Sequence, residues 1–151
     1  VANAWMDEYV RGSAEVRLFP DAVAALDAFR AAGCAQAVLS ASKLETLVVQ
    51  LTDAGIHDRF DAVLGLDHIY ATSKEHIGLD YMTRHSVAAR DAVMVGDTLH
   101  DAEVARALGC ACVLVARGHQ SREGLLAAGF PVLDTLTDAV ALLLGRKTGG
   151  A

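Results

Sequence analysis

Four residues in this sequence have types and settings that suit the chemistry of a phosphate held beside a cation: Ser40, Lys74, Asp97 and Asp101. The apolar run Ala92–Val95 passes through Gly96 into Asp97, and Asp101 follows one helical turn later. Carboxylate oxygens at that spacing suit a hard divalent cation such as magnesium, which keeps waters and substrate oxygens in its shell. A second apolar run, Ala37–Leu39, ends in Ser40-Ala41-Ser42. A hydroxyl and backbone N–H groups at a helix start suit phosphate oxygens, and a lysine such as Lys74 supplies countercharge. Each residue also has a more local reading. Asp101 suits the partner position of a helix cap with Thr98, Asp97 a turn, Ser40 a loop hydroxyl, Ser42 a helix N-cap and Lys74 a solvated first helical turn. Arg117 and His119 read as exposed-loop residues. His57, His68, His76, His85 and His100 show no metal-ligand spacing.

The elements that must position these residues alternate. Five short apolar runs, Ala37–Leu39, Ala62–Leu66, Ala92–Val95, Cys112–Ala116 and Val132–Leu133, read as buried parallel strands. Between them lie segments with helical spacing: Asp21–Ala32, Lys43–Ala54, His100–Leu108, 122–128 and 135–144. Ser42–Glu45, Thr72–Glu75 and Thr98–Asp101 fit capping boxes, and Gly33, Gly55 and Gly109 suit left-handed C-caps. Alternating strand and helix implies an α/β domain with a mostly parallel sheet, whose ligands sit beyond the carboxyl ends of the strands. That rim collects Ser40, Lys74, Asp97 and Asp101. Asn3–Arg11 reads differently, as one amphipathic helix (Trp5, Met6, Tyr9, Val10) broken by Gly12-Ser13.

The chain has 151 residues, 53% hydrophobic and 21% charged, with a formal net charge of −6. One domain with a substantial core fits that length and composition. The acidic balance and the lack of any Lys/Arg run argue against a nucleic-acid partner. No apolar stretch reaches the roughly 20 residues that a membrane helix needs. Cys34, Cys110 and Cys112 form neither a disulfide framework nor a zinc spacing, and read as buried thiols of a reducing cytoplasm. No G-x-G-x-x-G follows a strand, which disfavours a dinucleotide site.

Taken together, Leu18–Val23 before a helix, Ala37-Val-Leu-Ser40, Ser73-Lys74 and Val95-Gly-Asp-Thr-Leu-His-Asp101 resemble successive motifs of the haloacid dehalogenase (HAD) superfamily, in its phosphoglycolate-phosphatase-like branch. The resemblance runs from about Phe19 to the last helix. It implies a three-layer Rossmann-like core and a magnesium-dependent phosphatase acting on a small phosphorylated metabolite. In such enzymes an aspartate attacks phosphorus in line, and water then hydrolyses the aspartyl-phosphate. By the same resemblance Asp97 ligates magnesium and Asp101 helps to hold it, directly or through water. Ser40 and the Ala41 N–H bind phosphate, and Lys74 binds phosphate and restrains the nucleophile.

The sequence departs from that pattern at the family's first motif, D-x-D-G-T, because it contains no D-x-D. The expectation is a C-terminal portion of a larger enzyme, inactive alone, in which residues 1–17 are a remnant of a helical cap and 18–151 an incomplete core. The central first strand is then missing, and its place is open to a separate N-terminal piece or a second copy. The alternative is a non-catalytic phosphate-binding or interaction module that has lost its nucleophile.

Overall fold

The computed structural model describes residues 3–7, 20–66, 73–116 and 120–149. Six strands build one sheet: β1 (Asn3–Asp7), β2 (Ala35–Lys43), β3 (Ala62–Leu66), β4 (Ala92–Gly96), β5 (Ala111–Val115) and β6 (Val132–Leu133). Their order is β3-β2-β1-β4-β5-β6, and every pairing is parallel. The helices are α1 (Ala22–Ala31), α2 (Leu44–Asp53), α3 (Lys74–Arg84), α4 (Leu99–Leu108), α5 (Arg122–Leu126) and α6 (Leu136–Gly149). None of the described helices is long and apolar enough to cross a membrane.

Both faces of the sheet are covered, so the runs Ala37–Leu39, Ala92–Val95 and Cys112–Val115 are apolar without alternating polar residues. Successive side chains point to opposite faces. Leu39, Met94, Cys112 and Leu114 pack on one side with Met82, Val104, Leu108 and Leu125 from α3, α4 and α5. Val38, Val95, Val113 and Val115 pack on the other with Leu26, Leu47, Leu51 and Leu136 from α1, α2 and α6. This is the expected three-layer α/β architecture.

One expectation is corrected. Asn3–Asp7 is a strand, where the pattern of Trp5, Met6, Tyr9 and Val10 suggested the start of a helix. It fills the centre of the sheet, pairing with β2 from Asn3↔Ala35 to Asp7↔Leu39 and with β4 from Asn3↔Ala92 to Met6↔Val95. The central strand is therefore present, and the expected pair of open strand edges is not found. The physical reason is tertiary. A slot with a parallel strand on each side offers every backbone N–H and C=O of a short segment a partner, which outweighs weak local propensity. Residues 8–19, which include the rest of the expected helix and its Gly12-Ser13 break, lie outside the described residues.

Smaller departures concern helix starts. Ser42 does not cap α2, because β2 runs on to Lys43, which pairs with Leu66 after a register shift. The cap of α3 is Ser73, whose hydroxyl accepts from His76 N–H; Thr72 lies outside the described residues. The Thr98–Asp101 capping box is complete. Gly109 ends α4 at φ +76, a conformation that disfavours any residue with a Cβ.

Candidate active site

Ser40 and Asp97 leave the sheet at the same level, on either side of the central strand. The register sets Leu39 beside Asp7 and Val95 beside Met6. The residues that follow, Ser40 and Asp97, thus flank the exit of β1, two interstrand spacings or about 10 Å apart. Both are buried, as are Lys74 and Asp101. Four polar residues buried at one rim of an otherwise apolar sheet need partners.

Asp101 supplies most of them. Its Oδ1 accepts from Lys74 Nζ at 2.8 Å, with both side chains shielded from solvent. Its Oδ2 accepts from the Asp97 and Thr98 N–H groups at 3.0 Å and from the Thr98 hydroxyl at 2.9 Å. The Thr98 hydroxyl in turn accepts from Asp101 N–H. One carboxylate thus caps α4, ties the start of α4 to the end of β4 and serves as counter-ion to a lysine of α3. The local reading of Asp101 as a cap partner is what the structure shows, and the same carboxylate also pairs with Lys74. Lys74 is the opposite case: it sits in the first turn of α3, yet is only 2% exposed. Its reach depends on close helix packing, since a Cβ on Gly78 would lie 3.0 Å from the Leu108 side chain of α4.

Burial pushes the Asp101 carboxyl up to about 6, while hydrogen bonds from the Asp97 and Thr98 N–H groups pull it down. The Lys74 ammonium also favours the charged form. Burial likewise pushes the Cys110 and Cys112 thiols up to about 11 and about 12. These are packing groups rather than nucleophiles, and all three cysteines are free and buried.

Gly96 lets the cluster close. A Cβ at this position would lie 2.5 Å from both Cβ and Oδ2 of Asp101. Gly96→Ala is therefore expected to push Asp101 off its four donors and cost about 1–3 kcal/mol, as overpacked buried positions do. Urea unfolding and the amide shifts of Asp97 and Thr98 check this; an unchanged midpoint with unchanged shifts would show that the turn relaxes freely.

Lys74, Asp97 and Asp101 thus come together on the β4 side of β1, and Ser40 stands across the strand with Ala41 exposed beyond it. The Ser40 hydroxyl accepts from Ser42 N–H at 3.1 Å, which bends the end of β2 around it. His100 lies near Glu75 and Glu103 on the surface, and Arg117, His119 and His68 lie outside the described residues. Among the described residues no group of three or more His, Cys, Asp or Glu could hold a metal. The described residues thus form no dedicated cage by themselves; magnesium takes one or two carboxylates and fills its shell with water and phosphate oxygens. Asp97, buried at the rim beside the Asp101–Lys74 pair, has the donor chemistry for it.

Two further residues belong to this rim. Asp7 ends the central strand, at a register position between the ends of β2 and β4. Only the pairing could reveal this, because the surrounding pattern reads as a helix. Gln120, after β5, accepts from Leu99 N–H at 2.6 Å through its side-chain oxygen. No spacing signals a contact across 21 residues.

The family model for haloacid dehalogenase-like hydrolases matches residues 1–115. A probable phosphatase IndB from Dickeya dadantii is 34% identical over 136 residues, 88% of this chain and 59% of that protein. A phosphoglycolate phosphatase from Thiobacillus denitrificans is 29% identical over 125 residues, 82% of this chain and 52% of that protein. The chain thus spans little more than half the length of these relatives. Among solved structures, a haloacid dehalogenase-like hydrolase from Streptococcus pneumoniae superposes with a TM-score of 0.77 at 20% identity, covering 83% of this chain and 60% of that one. An uncharacterized protein from Listeria monocytogenes has a TM-score of 0.76 at 22% identity and covers 98% of this chain and 99% of its own. At such identities the structural matches speak to the fold.

Proposed function

The chain belongs to the haloacid dehalogenase-like hydrolases, and on that premise we propose that it carries the phosphate- and cation-binding rim of a magnesium-dependent phosphatase acting on a small phosphorylated metabolite. The observation that supports this reading is the buried set of Lys74, Asp97 and Asp101 at the carboxyl end of the sheet, level with Ser40. Phosphoglycolate phosphatases and a probable phosphatase among its relatives point the same way.

In this reading Asp97 would hold magnesium and Asp101 would help to hold it, directly or through water, while its oxygens are engaged by Lys74, Asp97 and Thr98. When bound, magnesium supplies positive charge against the oxygens of the transferring phosphoryl group. Ser40 and the Ala41 N–H bind the phosphate from the β2 side, and Lys74 binds it from the other. Asp101 fixes the lysine's position so that its charge is in place before the phosphate arrives, which is how preorganised electrostatics favour a transition state.

The nucleophile decides between two readings. The sequence contains no D-x-D; an upstream D-x-D-G-T favours the enzyme, and its lack from the natural protein favours a phosphate-binding module without turnover. The register of Asp7 gives the central strand an acid of its own at the right level, which favours an enzyme. The test is release of inorganic phosphate from a panel of small esters, with and without magnesium. It is run on this chain, on Asp7→Asn, and on this chain mixed with or joined to a segment carrying D-x-D-G-T. We expect no turnover by the chain alone and magnesium-dependent turnover with the added segment. Turnover by the chain alone that Asp7→Asn abolishes assigns the attack to Asp7 instead. No release in any arm, with phosphate binding retained, establishes the module and removes the enzyme reading.

A further inference from the structure

We propose that Gln120 is a substrate-contacting donor of this rim, with its amide locked so that the NH₂ end faces the bound phosphoryl group. The inference rests on the phosphate-binding reading above and adds a residue that neither the motifs nor the mechanism uses. Leu99 is the first residue of α4, one position beyond Thr98 and two beyond Asp97. Its N–H can only donate. The Gln120 side chain meets it at 2.6 Å with Oε1, the one atom of that amide able to accept. With Oε1 on the Leu99 N–H, the amide keeps Nε2 and its two N–H donors without a partner among the described residues. Gln120 reaches Leu99 from the segment after β5, and β5 and β4 end at one rim. The half-buried Gln120 thus meets α4 at its first residue, next to the turn that carries Asp97 and Asp101.

The lock has a further effect. Helix N-termini attract anions through their unpaired N–H groups. At α4 the N–H groups of Thr98, Leu99 and Asp101 are taken by Asp101, Gln120 and Thr98 side chains respectively. Gln120 thus exchanges one backbone donor buried against the helix for two side-chain donors set further out, where an anion held between Ser40 and Lys74 can meet them. An oxygen-rich anion is the ligand class that two N–H donors beside a lysine recognise.

The experiment titrates inorganic phosphate, with magnesium present, into the chain and into Gln120→Glu and Gln120→Met, and follows hydrogen exchange at the Leu99 amide. Glutamate keeps the acceptor for Leu99 and loses the donors. We expect the amide to stay protected while phosphate affinity falls about 10-fold or more. Methionine removes both without adding charge. We expect faster exchange at Leu99 and a similar loss of affinity. Phosphate affinity in Gln120→Met within about twofold of the parent overturns the donor role. Unchanged Leu99 exchange in Gln120→Met overturns the lock. A parent chain that does not bind phosphate at all sinks the phosphate-binding reading and the donor role together, whereas the first two outcomes leave that reading standing.

Discussion

Lys74→Met is expected to destabilise the fold by about 3–5 kcal/mol at neutral pH, the scale for removing one partner of a buried ion pair. The size follows from what is left behind. Asp101 is fully buried, its Oδ2 receives three donors, and its Oδ1 faces only the lost ammonium. Burial already holds its carboxyl at about 6, and loss of the ammonium moves it higher. The folded variant then binds a proton that the unfolded chain, with its carboxyl near the ordinary value of 3.8, gives up. Where the native state holds more protons, stability falls as pH rises. The penalty should be largest above the raised folded value and shrink as pH falls towards 4. Chemical unfolding at pH 7.5 and pH 5 measures both points. A midpoint at pH 7.5 close to the parent's, or a penalty that grows on acidification, contradicts the account. Lys74→Met/Asp101→Asn should regain part of the loss, because an amide oxygen keeps the N–H groups of Asp97 and Thr98 satisfied without a buried charge.

Asp97→Ala separates chemistry from folding. The Asp97 backbone N–H still donates to Asp101, so the capping turn survives. What disappears is the carboxylate proposed to hold magnesium. In whichever form of the protein turns over, activity should fall by about 10²–10³-fold or more, the range for loss of one preorganised charge-stabilising group. Magnesium affinity should fall with it. A magnesium isotherm and a turnover rate that match the parent would remove Asp97 from the site. Comparison with Lys74→Met is informative, since that substitution should lower stability and activity together.

Much of this was legible in the residues. The runs ending at Ser40 and Gly96-Asp97 announced strands because each is apolar, short and followed by polar or glycine residues. Thr98–Asp101 announced a helix start through its capping spacing. The sequence offered cap and ligand as alternatives for Asp101; geometry shows that one carboxylate has enough lone pairs to cap α4 and pair with Lys74 at once. Lys74 carried a weak signal because nothing local distinguishes a buried lysine from a solvated one in a first helical turn. Its burial comes from α4, 27 residues away at Asp101. The helix-like pattern around Asn3–Asp7 has a related cause. A five-residue strand is too short to show a clear alternation, and Trp5, Met6, Tyr9 and Val10 also fall on one face of a helix. The pairings that hold β1 involve residues 32 and 89 positions away, which no window along the chain can see.

Those same separations bear on how the molecule assembles. Of the six strands, β1 leaves the ribosome first, yet its second partner β4 exists only once residue 96 has been made. Strands β2 and β3 can pair without it, and so can β4, β5 and β6, because each of those contacts is nearer along the chain. Joining the two halves requires closing the longest loop in the sheet, the kind of contact that slows folding most. By that argument the pairing of β4 with β1 is the one expected to form last, and with it the rim between Ser40 and Asp97.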